Sequence, residues 1–595
     1  MSTPATLENL LIEAHRLFSL HDFPAAEAQC QHALSRYPGE PNVLHLLGAI
    51  AAGQGQAARA AAYFEIAAKS LPENPQVFFN LGSAQLSLGN PVAAQAAFAR
   101  ALALRPNFPE ALNNLGCALE AQDQLVAAQA RLEQALECAP SFTDARANLG
   151  RVLLRAGSPE AAKGQLALAL SMTPNHVSSL HYLGLSEKAL GNYAAAEAAL
   201  SQAVSLQPRA PELRNNLGNV LVAQGKYAAA MTHYAVALEA EPHHPAAALN
   251  LANALSRQGF VDEAIARYDQ ALALKPDLAE AQWGRALAYL QKGDLARGWE
   301  GYEWRFLFQQ AYPHRYAKPY WNGEPFAGKR LLIYDEIGYG DVFQFARYLP
   351  LVKARGGTVL FEVKPGLQPA LRGLSGVDQW LERSPLPVDE NRFDLHLPLE
   401  SLPGVFGTTL DTIPSDVPYL FADEALRSEW RARIAPSSDL KIGLVWAGNP
   451  DSAYDQARSC ALRDLAPLFE IPGCRFYSLQ VGKAASDMHA AALPLIALGE
   501  DFRDFGDTAA VMSQLDLIIS VETAAAHLAG ALGKPTWVLL AKVPAWRWLL
   551  DRADSPWYPT LRLFRQTQAG DWSTVIAALA QALGQYVKVH HRSHQ

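Results

Sequence analysis

Glycine recurs at Gly48, Gly82, Gly116, Gly150, Gly184 and Gly218, a period of 34 residues kept without a slip, and Ala14, Ala252 and Ala286 extend the series at both ends. A second series, Pro38, Pro72, Pro106, Pro140, Pro174, Pro208, Pro242 and Pro276, holds the same period. Units of fixed length bury their apolar faces against their neighbours, so half of this chain is a stacked array and not one globular core.

The interior of each unit agrees with that reading. Ala60, Ala94, Ala128, Ala162, Ala196, Ala230 and Ala264 let a second helix approach the first, and Phe64, Phe98, Leu132, Leu166, Leu200, Tyr234 and Tyr268 fill the space beside it. With a bulky residue before the small one (Leu81, Leu115, Leu149) and a proline closing each unit, the pattern resembles the tetratricopeptide helix-turn-helix repeat. About nine units over residues 1–300 are expected to form a right-handed solenoid whose concave face holds an extended partner. Asn80, Asn114, Asn148, Asn216 and Asn250 stand two residues before the small-residue position, with Tyr182 interrupting the series. As a column of amides they could pair with a peptide backbone whatever its side chains, or they could bond within the solenoid or to water. Five net hydrogen bonds at about 0.5–1.5 kcal/mol each barely exceed the roughly 2–5 kcal/mol needed to order a flexible segment. Such capture is weak and releasable.

At 595 residues with net charge −8, the chain has no basic field for nucleic acid or anionic membrane. The start MSTPATLENL has no basic residues ahead of an apolar run, and no apolar stretch reaches bilayer length. Cys30, Cys117, Cys138, Cys460 and Cys474 show neither disulfide nor metal-ligand spacing. A cytoplasmic protein without membrane insertion is expected.

Past Asp294 the period dissolves into an aromatic stretch and the connector 301–328, and Trp299, Tyr302, Trp304, Phe306 and Phe308 are expected to pack the last repeat helix onto the next domain. From Lys329 the texture becomes strand, turn, helix: RLLIYDE, then IGYGD, then VFQFARYLPLVKARG as an amphipathic helix, then TVLFEV. A second cycle runs through KIGLVWAGNP, CRFYSLQ, LDLIISVE, the helix TAAAHLAGALG and the strand PTWVLLA. Two Rossmann-like lobes, 329–435 and 436–585, with a tail at 586–595, are predicted, with ligands at the carboxyl ends of the strands.

The turn Gly338-Tyr339-Gly340-Asp341 is not a dinucleotide fingerprint, because Phe343 replaces the third glycine. Asp341 either caps the following helix or serves as a base for an acceptor hydroxyl, a role worth about 10²- to 10⁴-fold in rate. Thr523 and the amides after it, at a helix start, offer an anion site that His527 could complete; alternatively Thr523 is a cap and His527 a satisfied core residue. Arg458 and Ser459 could add charge to the same anion, or Arg458 could be solvated. Trp546, Trp548 and Trp557 could flank a nucleobase or pack between lobes. No Asp-x-Asp triplet or metal-ligand cluster occurs, so no metal is expected.

The stretches YDEIGYGDVFQFARYLPLVKARGG, LVWAGNP, ISVETAAAHLAGALGKPTWVLL and WRWLLDRADSPWYPTLRLFRQ resemble the C-terminal region of bacterial tetratricopeptide glycosyltransferases related to the heptosyltransferase-like family. The resemblance implies an α + α/β chain, an all-α repeat solenoid followed by a double Rossmann-like domain of GT-B type, using a nucleotide sugar without metal and with inversion. It implies Asp341 as the catalytic carboxylate, and donor-phosphate contacts from Glu522, Thr523, Ala524 and His527; Gly340, Asn449, Arg458, Ser459 and Gln480 are also expected to contact the donor. Glu522 stands where that family usually has Asp, Ala524 where it often has Gly, and Val481 where Lys is frequent. The segment DSAYDQARSC lacks the basic and Asn-Asp residues that relatives often carry before Arg-Ser.

The expected function is transfer of a sugar to Ser or Thr of a polypeptide held in the repeat groove, flagellin being a plausible acceptor by resemblance. Two alternatives are a scaffold with a degenerate transferase domain, and a transferase acting on a glycan, with the repeats used for partner docking.

Overall fold

The computed structural model describes residues 6–308, 316–336, 338–434, 436–451 and 455–592. It divides into two compact units, Met1–Pro242 and His243–Gln595.

The first unit consists of seven helix pairs, from Leu7–Ser19 with Phe23–Arg36 to Pro211–Ala223 with Tyr227–Ala240. The second helix of each pair stops two residues before a ladder proline, as at Arg36 before Pro38, Ser70 before Pro72 and Leu104 before Pro106. The intervening residue leaves the helical region, Tyr37 at φ −129°, ψ 74° and Arg105 at φ −139°, ψ 88°, because the pyrrolidine ring crowds a helical residue ahead of it. Within each pair the chain reverses through a left-handed residue. Gly55, Gly89, Gly157, Gly191 and Gly225 take φ of 74–78° there, and the non-glycine occupants His21 and Asp123 both take φ 60°.

Close approach explains the small-residue ladder. A Cβ on Gly82 would stand 2.6 Å from Phe98 Cε1, and one on Gly116 would stand 2.7 Å from Leu132 Cγ. The alanines of the second helices, Ala60 to Ala230, have no exposure at all, so the pairs are locked by residues with nothing to spare between backbones.

The second unit opens with two further pairs, Pro245–Gln258 with Val261–Leu274 and Ala279–Lys292 with Leu295–Tyr302. The repeat pattern therefore ends near residue 300 while the compact units divide at Pro242. Two parallel sheets follow. β1 (Arg330–Tyr334), β2 (Thr358–Val363), β3 (Gln379–Glu382) and β4 (Leu395–Pro398) are ordered β3-β2-β1-β4. β5 (Leu440–Val445), β6 (Cys474–Ser478), β7 (Leu495–Ala497), β8 (Leu517–Val521), β9 (Thr536–Leu540) and β10 (Leu561–Arg565) are ordered β10-β9-β8-β5-β6-β7. Helices flank both, as the alternating texture predicts. β3, β4, β7 and β10 lie outside the strands expected from sequence, each carrying too little apolar run to register.

Three boundaries differ from expectation. The helix expected over VFQFARYLPLVKARG is broken into Tyr339–Phe345, a 3-10 turn Ala346–Tyr348, and Leu349–Lys353, since Pro350 has no N–H for a helical bond and starts a new segment. The last helix, Ser573–Arg592, runs through the expected tail boundary and packs Val575, Ile576, Leu579 and Leu583 on the second sheet's core. In the connector Trp299 and Tyr302 are buried, whereas Trp304 and Phe306 are half-buried; the Phe308 side chain and residues 309–315 lie outside the described residues.

Replacing Gly225, whose Cβ would meet nothing within 4 Å, by Ala is expected to cost about 1–2 kcal/mol through backbone strain alone. His21→Gly is expected to raise stability. Unfolding followed by helical circular dichroism on the full chain checks both signs.

Candidate functional site

The candidate base sits at the head of the first βα turn. β1 ends at Tyr334 and the helix Tyr339–Phe345 begins after the extended residue Gly338, which places Asp341 in the first helical turn; Ile337 of the IGYGD turn lies outside the described residues. Gly340 packs directly on the opposite lobe: its Cβ would fall 2.9 Å from His527 Cδ2 and 3.4 Å from Ala524 Cα. Tyr339 and Phe343 continue the contact, with ring centroids 5.2 and 5.1 Å from Phe505. The two turns meet face to face, where the sequence led us to expect an open crevice, because position 340 has no side chain to hold the helices apart.

The Asp341 carboxylate is ion-paired with Arg547, a residue of the WRW run that sequence alone does not single out. Arg547 lies in a 3-10 turn after β9 and stacks on Trp546, 4.7 Å from the ring centroid. Burial disfavours its cation, and Asp341, followed by Tyr302, Glu400 and Glu522, more than restores it, so its pKa is raised.

Behind this pair lies a buried network. The Arg305 guanidinium has no exposure and donates to Glu336 Oε2 at 2.6 Å, Ser401 Oγ at 2.8 Å and Glu303 Oε1 at 2.7 Å. Tyr302 donates to Glu400 Oε2 at 3.3 Å. Burial, then the neighbouring Asp341 and Glu336 carboxylates, push Glu400 up to about 8, and burial likewise raises Glu336 against the pull of Arg305. Burial and these carboxylates thus favour the neutral form of Glu400 beside Asp341. Trp299 anchors the last repeat helix here, donating from Nε1 to Thr408 O at 2.9 Å and meeting Trp546 edge-on at 5.4 Å, while Gln291 donates to Pro544 O at 3.1 Å.

The residues expected to hold a donor are brought together in part. The helix Ala524–Ala531 starts without a side-chain cap, because the Thr523 hydroxyl pairs with Ser520 Oγ at 3.1 Å. Glu522, half-buried, accepts from Ala545 N at 3.3 Å; burial raises its pKa against the opposing pull of that bond and of Arg458, Arg547 and Arg565. Arg458 donates to Asp455 Oδ1 at 3.3 Å and Ser459 Oγ accepts from Gly448 N at 3.0 Å. Asn449 is exposed, its Oδ1 accepting from Asp451 N at 3.1 Å. Residues 452–454, between these groups, lie outside the described residues.

Three expectations are corrected. Gln480 spends its amide on backbone: Oε1 accepts from Trp446 N and Ala447 N, and Nε2 donates to Ala447 O and Val481 O, all at 3.0–3.1 Å. It shapes the loop after β5 from within. His527 is 6% exposed, bonds Tyr558 OH through Nδ1 at 3.0 Å and stacks on Trp548 at 4.9 Å; burial, with Arg547 and Arg347 nearby, holds its pKa far below the usual range. It is a buried packing residue whose edge is covered by Gly340.

The asparagine column is likewise occupied by the solenoid. Asn80 Nδ2 pairs with His45 Nε2 at 2.9 Å, Asn148 Nδ2 donates to Asn113 Oδ1 at 2.9 Å, and Asn216 Nδ2 pairs with His181 Nε2 at 2.7 Å. Asn114 Nδ2 donates to Ser83 Oγ at 3.3 Å, and Asn250 has a partner of its own. All four of the bonds given reach the preceding repeat, so the column stitches unit to unit. Trp546, Trp548 and Trp557 are all buried, which makes them packing residues.

Comparison with known proteins agrees with the first half of the chain. Tetratricopeptide repeat models match residues 13–76, 51–116, 119–183, 183–245 and 258–293. Protein FlbA of Caulobacter vibrioides is 29% identical over 331 residues, 52% of this chain and 55% of that protein, so the chain spans about half the length of this curated relative. Among solved structures, a tetratricopeptide repeat protein of Parabacteroides merdae is 17% identical over 42% of this chain and 98% of its own, with a TM-score of 0.36. A thermophilic TPR protein of Thermus thermophilus is 28% identical over 30% of this chain and 98% of its own, with a TM-score of 0.28.

Glu400 ionises at its ordinary 4.5 when unfolded and near 8 when folded, so the folded state holds the extra proton between those values and stability falls as pH rises through that window. Glu400→Gln is expected to flatten this slope, with its largest gain in melting temperature at the alkaline end. Asn148→Ala is expected to cost about 0.5–1.5 kcal/mol by leaving Asn113 Oδ1 without its donor, read by denaturant unfolding. From residue 7 to about residue 300, the N-terminal region is a run of tetratricopeptide repeats.

Proposed function

We propose that this chain is an inverting glycosyltransferase of the cytoplasm, moving a sugar from a nucleotide donor to a Ser or Thr hydroxyl of a polypeptide captured by its repeats. One observation carries the reading: Gly340, next to Asp341 in the first turn of the helix after β1, packs on Ala524 at the uncapped start of the helix Ala524–Ala531 in the other lobe. A carboxylate beside a helix N-terminus brings a proton acceptor to the place where a phosphate-bearing leaving group is favoured. Asp341 would take the hydroxyl proton as the acceptor oxygen attacks the anomeric carbon, and the bond to the donor phosphate would break with its electrons on that phosphate.

The resemblance of the two turns to heptosyltransferase-like enzymes supports the same chemistry, and repeats of this kind are protein-binding elements. Since the asparagine amides are engaged between repeats, acceptor selection would fall to other groups lining the groove. Flagellin is the first acceptor to try, on resemblance.

The test is intact mass spectrometry of candidate acceptors co-expressed with the chain. Wild type is expected to add a discrete sugar mass, and Asp341→Asn to lower the transfer rate by about 10²- to 10⁴-fold. Undiminished transfer by Asp341→Asn would remove the carboxylate from the mechanism, and no adduct on any acceptor would argue for a scaffold.

A further inference from the structure

The cations of the second unit differ in what they have left to give. Arg347 donates to Gln344 O, Pro414 O, Trp557 O and the Tyr419 hydroxyl. Arg565 donates to three backbone carbonyls, of Trp548, Leu549 and Arg552. Arg305 is shared among Glu336, Glu303 and Ser401. Arg458 is held by Asp455 within its own turn. Arg547 differs from these four: of its five N–H donors, the structure engages one side on Asp341 and leaves a buried Nε without a partner, as it also does at Arg427.

Its position is equally distinctive. The guanidinium is fixed by stacking on Trp546 and lies near Phe345, 5.9 Å from that ring. It faces Asp341 from one lobe and is attracted by Glu522, next to the uncapped helix start, in its own. Asp341 and Arg547 keep 17% and 15% of their side chains exposed, so both can be reached.

Resting on the glycosyltransferase reading above, we propose that Arg547 is the cation that receives the donor's phosphate, and that its ion pair with Asp341 keeps the base engaged until a nucleotide donor draws the guanidinium away. A guanidinium binds phosphate oxygens in the same forked geometry as a carboxylate, so the two anions compete for one group. When donor is bound, Arg547 neutralises the phosphate oxygen that keeps the electron pair of the broken glycosidic bond. Asp341, released, accepts the proton of the acceptor hydroxyl as its oxygen bonds to the anomeric carbon. The base is thereby unmasked only in the presence of the substrate it is to act upon, which guards against reaction without donor.

Competition makes a signed forecast. In calorimetric titrations of the full chain with UDP, GDP, ADP and CMP, wild type is expected to bind at least one of them. Arg547→Met is expected to weaken that binding by about tenfold or more, with Arg547→Lys between the two. Asp341→Asn, which removes the competing anion and is nearly isosteric, is expected to tighten binding about threefold to tenfold, and the double variant to behave as Arg547→Met does. Unchanged or weaker binding by Asp341→Asn overturns the proposal even if Arg547→Met fails to fold. Binding by wild type with full retention in Arg547→Met overturns the role of Arg547 while leaving the transferase reading standing. Failure of wild type to bind any of the four nucleotides overturns both.

Discussion

Close packing at positions without side chains is the constraint on which both halves of this protein rest. In the array, Gly82 and Gly116 admit Phe98 and Leu132 to space that a single methyl group would fill. In the α/β unit, Gly340 does the same for Ala524 and His527. The cost of glycine within a helix, roughly 0.5–1 kcal/mol relative to alanine, is offset each time by packing that a larger residue would forbid. At Gly340 this approach also bears on the candidate site, since the next residue is Asp341.

Burial of charge behind that contact has a different logic. Three carboxylates, Asp341, Glu336 and Glu400, converge with two guanidiniums, Arg305 and Arg547. With Glu303 also on Arg305, acids outnumber bases in a poorly hydrated place, and burial shifts Glu400 and Glu336 toward their neutral forms. The network binds three stretches of chain together: the end of the last repeat helix through Tyr302 and Arg305, the strand ends of the first sheet through Glu336 and Glu400, and the loop after β9 through Arg547. Trp299 and Trp546 pack over it, shielding its hydrogen bonds from water.

Much of this was legible in residues alone. The repeat register, the helix-ending prolines, the strands β1, β2, β5, β6, β8 and β9, and the place of Asp341 at a strand-to-helix turn all follow from period and texture. The left-handed position in each repeat turn was harder to see, because His21 and Asp123 interrupt its glycines. The features that escaped depend on partners far apart in the chain. Arg547 reads as one basic residue between tryptophans, and Glu400 as one more acid in HLPLESLP; only folding brings them to Asp341. Gln480 and His527 erred in the opposite direction, since their polar groups suggested a ligand while burial had already committed them to backbone and to Tyr558. The asparagine column erred for a related reason: a repeated polar group can be engaged within the array when the preceding repeat offers it a partner.

The proline that ends each second helix has a consequence for how such a chain can change. Because every unit closes on its own local signal, an excision or duplication between two such prolines joins equivalent seams, and each neighbour meets the surface it met before. Array length is thus free to vary in whole units, lengthening or shortening the reach of the cradle, while the lobes after it keep their own architecture.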